Sequence, residues 1–260
     1  MTDMLHTQRR LERIHHIGKA FAASPSGLAL IGLGSTGPQA ERLDAYSDLD
    51  FFAVVEAGAK HAYLQQLDWL DRIAPVSWHF HNTPDGCKLL FQDDIYCEFA
   101  VFEPHELAGI PFSTGKVLWK RDDVDAAIAT PQLPEPRPLN HSIEWCLYEA
   151  LSNLYVGIGR YCRGEKLSAF RFVQSYAVDR VIELIERTWD ADVRARDPFS
   201  NERRFEQRYP EFAPLLSAFM PGYRDSPKAA LAMLEFLDLH WEVPAPLAAS
   251  IDRMARSQLR

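Results

Sequence analysis

Residues Leu28 to Glu56 read LALIGLGSTGPQAERLDAYSDLDFFAVVE. An apolar run, Leu28 to Leu33, stops at Gly34-Ser35, and twelve residues follow, Thr36 to Ser47. Asp48-Leu49-Asp50 then leads into a second apolar run, Phe51 to Val55. Both runs have the length and composition of buried strands. Gly34 suits a tight turn at which backbone can approach a ligand closely. Asp48 and Asp50 are two residues apart, so on an extended chain both carboxylates point to the same face. Adjacent carboxylates repel unless a cation lies between them. Their hard oxygens suit Mg²⁺, which takes one or two protein carboxylates and fills its shell with water and phosphate oxygens. A solvated surface pair is the plain alternative for an Asp-x-Asp taken alone.

The order Leu33-Gly34-Ser35, spacer, Asp48-Leu49-Asp50-Phe51 resembles the signature of the DNA polymerase β-like nucleotidyltransferase superfamily. The wording Tyr46-Ser47-Asp48-Leu49-Asp50 is similar to its small-molecule branch, the lincosamide and aminoglycoside nucleotidyltransferases. The motif resemblance covers residues 28–102; over 140–260 it is one of architecture only. It implies a third carboxylate on a later strand of the same sheet, and Glu98, within Ile95 to Phe102, fits that role. Glu98 is surrounded by apolar residues, and an acid in such a run needs a partner; a place on the wet face of an edge strand is the alternative.

The resemblance implies roles for these residues. Asp48, Asp50 and Glu98 would be catalytic and hold Mg²⁺; Gly34, Ser35 and Ser47 would contact the nucleotide. The reaction would move a nucleoside monophosphate, AMP from ATP, onto a hydroxyl of a small molecule such as an aminoglycoside or lincosamide, which is antibiotic-resistance chemistry. The small-molecule relatives often carry an Arg soon after Gly-Ser. Here Pro38-Gln39 stands there, with Arg42 farther along. Lys166 and Arg171 are therefore further candidates for the phosphates, and Glu144 and Glu149 for a cationic acceptor or as base. Each of these four has a plain reading as a helix-surface charge. Two other functions remain open on the sequence. One is an enzyme of the same fold acting on protein or RNA, of the toxin–antitoxin type. The other is a non-catalytic nucleotide-binding module, against which the three acids argue, being costly without a metal.

Composition bounds the rest. The 260 residues are 47% hydrophobic and 25% charged, with a formal net charge of −8, which suits ordinary packed cores rather than disorder. No basic tract stands out, which argues against a dedicated nucleic-acid binder. Residues 1–130 hold eleven Lys and Arg against eighteen Asp and Glu, and 131–260 hold seventeen against eighteen. The acidic half carries the proposed metal site, and a negative cleft favours cations. Cys87, Cys97, Cys146 and Cys162 form no CxxC, and no His/Cys cluster has zinc spacing. They read as buried thiols in a reducing compartment. No apolar run approaches a membrane span and no signal core opens the chain, so a cytoplasmic protein is expected.

Along the chain, helices are expected over 5–23 and 58–73, and strands over 28–33, 51–55, 76–81, 87–91, 95–102 and 116–120. His79 and His81 share a face of the third strand without a third ligand nearby. Asp93 and Asp94 fall in a hairpin turn and read as solvated. Thr130 to Pro138 holds four prolines in nine residues, the composition of a semi-rigid linker. Beyond it the pattern is helical: 140–163, 167–188, a region at 202–208, 227–241 and 247–257. The expected fold is therefore α+β. A nucleotidyltransferase-type mixed sheet with flanking helices occupies 1–130, and an all-α bundle that binds substrate occupies 139–260.

Overall fold

The computed structural model describes residues 2–134, 141–191, 196, 197 and 199–259. Two compact units divide the chain, 1–135 and 136–260. The first contains α1 (Thr2–Ala22), β1 (Gly27–Gly32), β2 (Leu49–Val55), α2 (Lys60–Gln65), α3 (Asp68–Asp71), β3 (Val76–Phe80), β4 (Gly86–Phe91), β5 (Tyr96–Phe102) and β6 (Lys116–Lys120). The six strands form one sheet in the order β3-β4-β5-β2-β1-β6. β2 and β5 are parallel and the other neighbours antiparallel, so the sheet is mixed.

The two apolar runs read from the sequence are the inner strands β1 and β2. β1 is buried at every residue, as expected of a strand covered on both faces. One face packs under α1, where Ile14, Ile17 and Phe21 meet Leu30, Leu49, Phe51, Cys97 and Phe99. Phe21 lies within 5.7–5.8 Å of the rings of Tyr63, Trp69 and Trp119. Phe51 and Phe99 stack at 5.3 Å across the parallel pair. On the opposite face Val54, Phe102, Leu107 and Ala129 form a smaller core at one end.

The expected single helix over 58–73 is two short ones. Gln66, at φ −117 and ψ 100, ends α2. The break turns Trp69 into the aromatic cluster, and its indole donates to the Tyr63 carbonyl at 3.3 Å. Asp93 is also not a solvated turn residue: its carboxylate accepts from Arg9 at 3.0 Å and Arg13 at 2.7 Å, fixing α1 to the β4–β5 turn. Asp94, at φ +65, makes the left-handed step of that turn. Cys87, Cys97 and Cys146 are buried as expected, but Cys162 is exposed.

Among its described residues the second unit holds helices and no strand. It comprises α4 (Ile143–Cys162), α5 (Lys166–Arg171), α6 (Val178–Thr188), α7 (Phe205–Arg208), α8 (Ala213–Phe219), α9 (Ser226–His240) and α10 (Ala245–Ser257). Ser142 caps α4, its hydroxyl accepting from Trp145 N–H at 3.0 Å. Asn140, where the expected helix begins, and residues 135–138 of the proline-rich stretch lie outside the described residues. α5 and α6 form one rod joined by a π-helical segment, Phe172–Ala177, which apolar spacing alone does not reveal. Its buried Gln174 is saturated by the turn before α9: it donates to Gly222 O at 2.8 Å and Ser226 Oγ at 3.0 Å, and accepts from Gly222 N–H at 2.9 Å. The core gathers Leu151, Leu154, Val181, Leu184, Phe205, Phe219, Met233 and Leu237. Among the described residues no helix is long and apolar enough to cross a membrane.

The Asp93 anchor carries a pH dependence. Burial pushes its carboxyl up, but Arg13 and Arg9 outweigh this and hold it below the ordinary value. A depressed folded-state value contributes stability that is present above the unfolded value, about 3.9, and is lost as pH falls through the folded one. Asp93→Asn should cost about 1–3 kcal/mol near neutral pH, where it leaves buried Arg13 poorly paired. The gap from the parent should narrow below about pH 4, as read by urea denaturation across that range.

Candidate active site

The turn after β1 is built for close approach of backbone. Residues Gly34–Thr36 form a 3₁₀ turn, and Gly34 has φ +48, a conformation that glycine adopts at little cost. Gly37 packs directly on the Gly32 carbonyl, where any side chain would collide. The turn is stitched to β2 by two bonds. Leu33 N–H donates to Asp50 O at 2.9 Å, and Asp50 N–H donates to the Thr36 hydroxyl at 3.0 Å. Thr36 is buried and is a site residue that the Gly-Ser pattern does not single out.

Asp48 immediately precedes β2 and Asp50 is its second residue. Both are half-buried. The parallel register pairs Asp50 with Glu98, and the antiparallel one pairs Glu98 with Lys88 and Lys88 with Phe80. Directly paired residues share a face of a sheet. Phe80, Lys88, Glu98 and Asp50 therefore make one row across four strands, on the face opposite Leu49 and Cys97. The structure thus brings Asp50 and Glu98 onto neighbouring strands, with Asp48 at the strand mouth beside them.

Lys88, like Thr36, is a residue that the sequence pattern did not single out. Its ammonium lies 2.8 Å from Glu98 Oε1. The hydrogen bond to Glu98, aided by the charges of Glu98 and Asp48, holds Lys88 protonated beyond its ordinary range. The signal was present: a hairpin folded about Asp93 sets Lys88 opposite Glu98. Tyr96 lies one pleat along from Glu98 on the same face; burial and the Glu98 charge push its hydroxyl up. Farther out on this face, Trp78 and Phe80 are stacked at 6.4 Å and about half exposed.

Other sequence candidates fall elsewhere. Ser47 is engaged in its own loop. Its hydroxyl donates to Asp44 Oδ1 at 2.9 Å and accepts from Asp44 N–H at 3.0 Å, while its carbonyl accepts from Arg10 at 2.6 Å. Backbone N–H of Tyr46 and the Ser47 hydroxyl hold the Asp44 carboxyl low, so this loop presents Asp48 in a fixed frame. Ser35 is half-buried and lines, with Thr36, a cavity of about 290 Å³ walled by Leu11, Ile14, Leu49 and Leu118. That cavity is on the α1 side of the sheet, away from the row of carboxylates.

Glu144, Glu149, Lys166 and Arg171 belong to the second unit. Glu144 is exposed in the first turn of α4, where a negative charge suits the helix dipole. Glu149 lines a pocket of about 280 Å³ with Asn153, Tyr176, Asp179 and Arg180. Lys166 and Arg171, at the two ends of α5, are exposed, and the Lys166 ammonium stands 5.2 Å from the Tyr161 ring centre. The rings of His79, on β3, and His81, just past its end, are 5.9 Å apart and both residues are exposed.

No family model matches the chain, and no curated protein matches it in sequence. Among solved structures it is similar to an aminoglycoside 6-adenyltransferase from Bacillus subtilis, at 13% identity over 94% of this chain and 96% of that one. The TM-score is 0.37, too loose a superposition to bear on the chemistry.

The clamp between turn and strand can be tested without assuming any activity. Thr36→Val keeps the shape of the side chain but leaves the Asp50 N–H without its acceptor. An unsatisfied buried donor costs about 1–3 kcal/mol. Thermal or urea denaturation should show that loss, whereas Thr36→Ser, which retains the hydroxyl, should recover most of it.

Proposed function

We propose that the first unit is the catalytic part of a Mg²⁺-dependent nucleotidyltransferase that moves AMP from ATP to a hydroxyl of a small molecule. One observation carries this reading. Asp50 and Glu98 are in register on adjacent parallel strands with Asp48 at the mouth, and the backbone of Asp50 is tied to the Gly34–Thr36 turn. Carboxylates and a phosphate-sized turn are thereby held in one frame.

The donor set fits the ion. Asp48, Asp50 and Glu98 offer only hard carboxylate oxygens, half-buried on an open sheet face, which is the ligand type Mg²⁺ selects. When bound there, Mg²⁺ would supply positive charge to the triphosphate and to the leaving pyrophosphate. The chain's own groups do the rest. The turn, with Gly34 at positive φ and open space above it, leaves room for the phosphates at the end of β1. Lys88 places a cation beside the carboxylates. Glu98, as carboxylate, accepts the proton of the acceptor hydroxyl while that oxygen bonds to the α-phosphorus and the α–β phosphoanhydride breaks. Pyrophosphate leaves, and the acceptor carries the nucleotide as a phosphodiester.

The row also suggests where the acceptor comes from. The turn flanks Asp50 on the β1 side, and Phe80 and Trp78 lie on the other side, beyond Glu98 and Lys88. Exposed aromatic faces stack against planar or sugar rings, so a ring-bearing acceptor has a platform opposite the phosphates. An aminoglycoside or lincosamide is of that kind.

Isothermal titration with ATP and Mg²⁺ should show metal-dependent nucleotide binding that Asp48→Asn and Asp50→Asn abolish; unchanged binding in both would exclude the site. Glu98→Gln should still bind nucleotide yet release pyrophosphate, with an acceptor panel of aminoglycosides and lincosamides, at least about a hundredfold more slowly. Lys88 competes with any metal for Glu98. An exposed pair of this kind is worth about 0.2–1 kcal/mol. Lys88→Met should therefore tighten binding of Mn²⁺ alone by no more than about fivefold, while slowing transfer.

A further inference from the structure

We infer that His141, Cys146 and Glu183 form a site in the second unit for a soft divalent cation of the zinc type. The sequence shows no zinc spacing, because the site is made by packing: His141 and Cys146 flank the start of α4, and Glu183 comes from α6. Among the described residues this is the one group of three His, Cys, Asp or Glu whose donor atoms all lie within 4.8 Å of one another. The carboxylates of the first unit are not gathered so closely.

The two separations to Glu183 suit a tetrahedral ion, and His141 and Cys146 lie within 4.8 Å of each other. With bonds of about 2.0 Å to nitrogen and oxygen and about 2.3 Å to sulfur, the ligand edges of a zinc site are roughly 3.3–3.5 Å. Here His141 Nδ1 lies 3.3 Å and Cys146 Sγ 3.2 Å from the same oxygen, Glu183 Oε2. Glu183 is held from outside by Arg180, 3.1 Å from its other oxygen. The His141 ring is fixed by stacking on Trp145 at 3.6 Å. Such outer contacts are what orient metal ligands. Cys146 and Glu183 are buried, whereas His141 is 24% exposed, which leaves a solvent side for entry and for a water as fourth ligand.

A nucleophilic reading fails on the same geometry. The thiol is fully buried and donates to Glu183 at 3.2 Å, so it is not presented as a free nucleophile. A metal reverses this by displacing the thiol proton to solvent and bonding the thiolate. Thiolate and carboxylate then neutralise the two charges of the ion, and a sulfur–nitrogen–oxygen set selects zinc over magnesium.

The test uses the full chain stripped with chelator. Zn²⁺ alone is titrated against a chromophoric chelator, and Co²⁺ alone is followed by absorption. The expected result is one equivalent of tight binding, a thiolate-to-cobalt charge-transfer band, and a raised melting temperature with Zn²⁺. Cys146→Ser should lose the band, and Cys146→Ser and His141→Ala should each weaken Zn²⁺ binding at least about tenfold. Asp50→Asn should leave the binding intact, which separates this site from the proposed magnesium site. Absence of the cobalt band in the parent protein overturns the inference whatever the variants do. Zinc binding unchanged in both Cys146→Ser and His141→Ala overturns it equally, since the ion would then sit on other side chains.

Discussion

The parallel pairing of β2 with β5 is the constraint on which the first unit depends. Parallel strands need a long crossover, and here it contains α2, α3 and the β3–β4 hairpin arm. The pairing register is not free to slide. A one-residue slip inverts every side chain of a strand. In β2 it would expose Leu49, Phe51 and Ala53 and bury Asp50; in β5 it would expose Cys97, Phe99 and Val101 and bury Glu98. At about 25 cal/mol per Å² of apolar surface, moving three such residues into water costs several kcal/mol before the buried acid is counted. The hydrophobic pattern that seals one face thereby aligns the carboxylates on the other. Their geometry follows from packing and requires no attraction among the acids.

That logic explains what was legible in the sequence. The apolar runs, the Gly34 turn and the alternation around Asp50 and Glu98 are local signals, and the mixed sheet follows from them. What was not legible depended on partners distant in the chain. The helix over 58–73 keeps its apolar spacing but breaks at Gln66, because Trp69 gains more from the cluster around Phe21 than a continuous helix offers. The π segment before α6 has ordinary helical spacing, and its reason, the bonds of Gln174 to Gly222 and Ser226, lies some fifty residues away. Asp93 read as solvated because its arginines come from α1. Thr36 gave no signal, since a hydroxyl accepting one N–H is visible only once the turn and β2 are side by side.

The cation beside Glu98 differs from the ones beside two anchoring acids. Asp93 and Glu186 are held by arginines: Arg13 and Arg9, and Arg208 respectively. Arginine presents a planar fork that remains charged and pre-organised, and these pairs fasten helices to their surroundings. Glu98 is held by Lys88, a point charge on a flexible stem, with both side chains about one-third exposed. Such a pair is weak and exchangeable. An acid whose task is to be released to another cation or to a proton is better served by lysine than by a bidentate clamp.

The face of the sheet opposite α1 completes the argument. At one end Phe52, Phe102 and Phe112 pack edge to face, and the small core around Leu107 seals the strands. At the other end Asp50, Glu98, Lys88 and Tyr96, with Asp48 just before β2, lie outside that small core. Between the two ends the side chains on this face change from apolar to charged within two residues along each strand, Phe52 to Asp50 and Ala100 to Glu98. The sealed end gives the strands the rigidity of a core, and the other end inherits that rigidity for its charged groups. Side chains are thus fixed to the precision of a sheet while remaining accessible to solvent, which is what a site must combine if it is to orient charge and still admit a ligand.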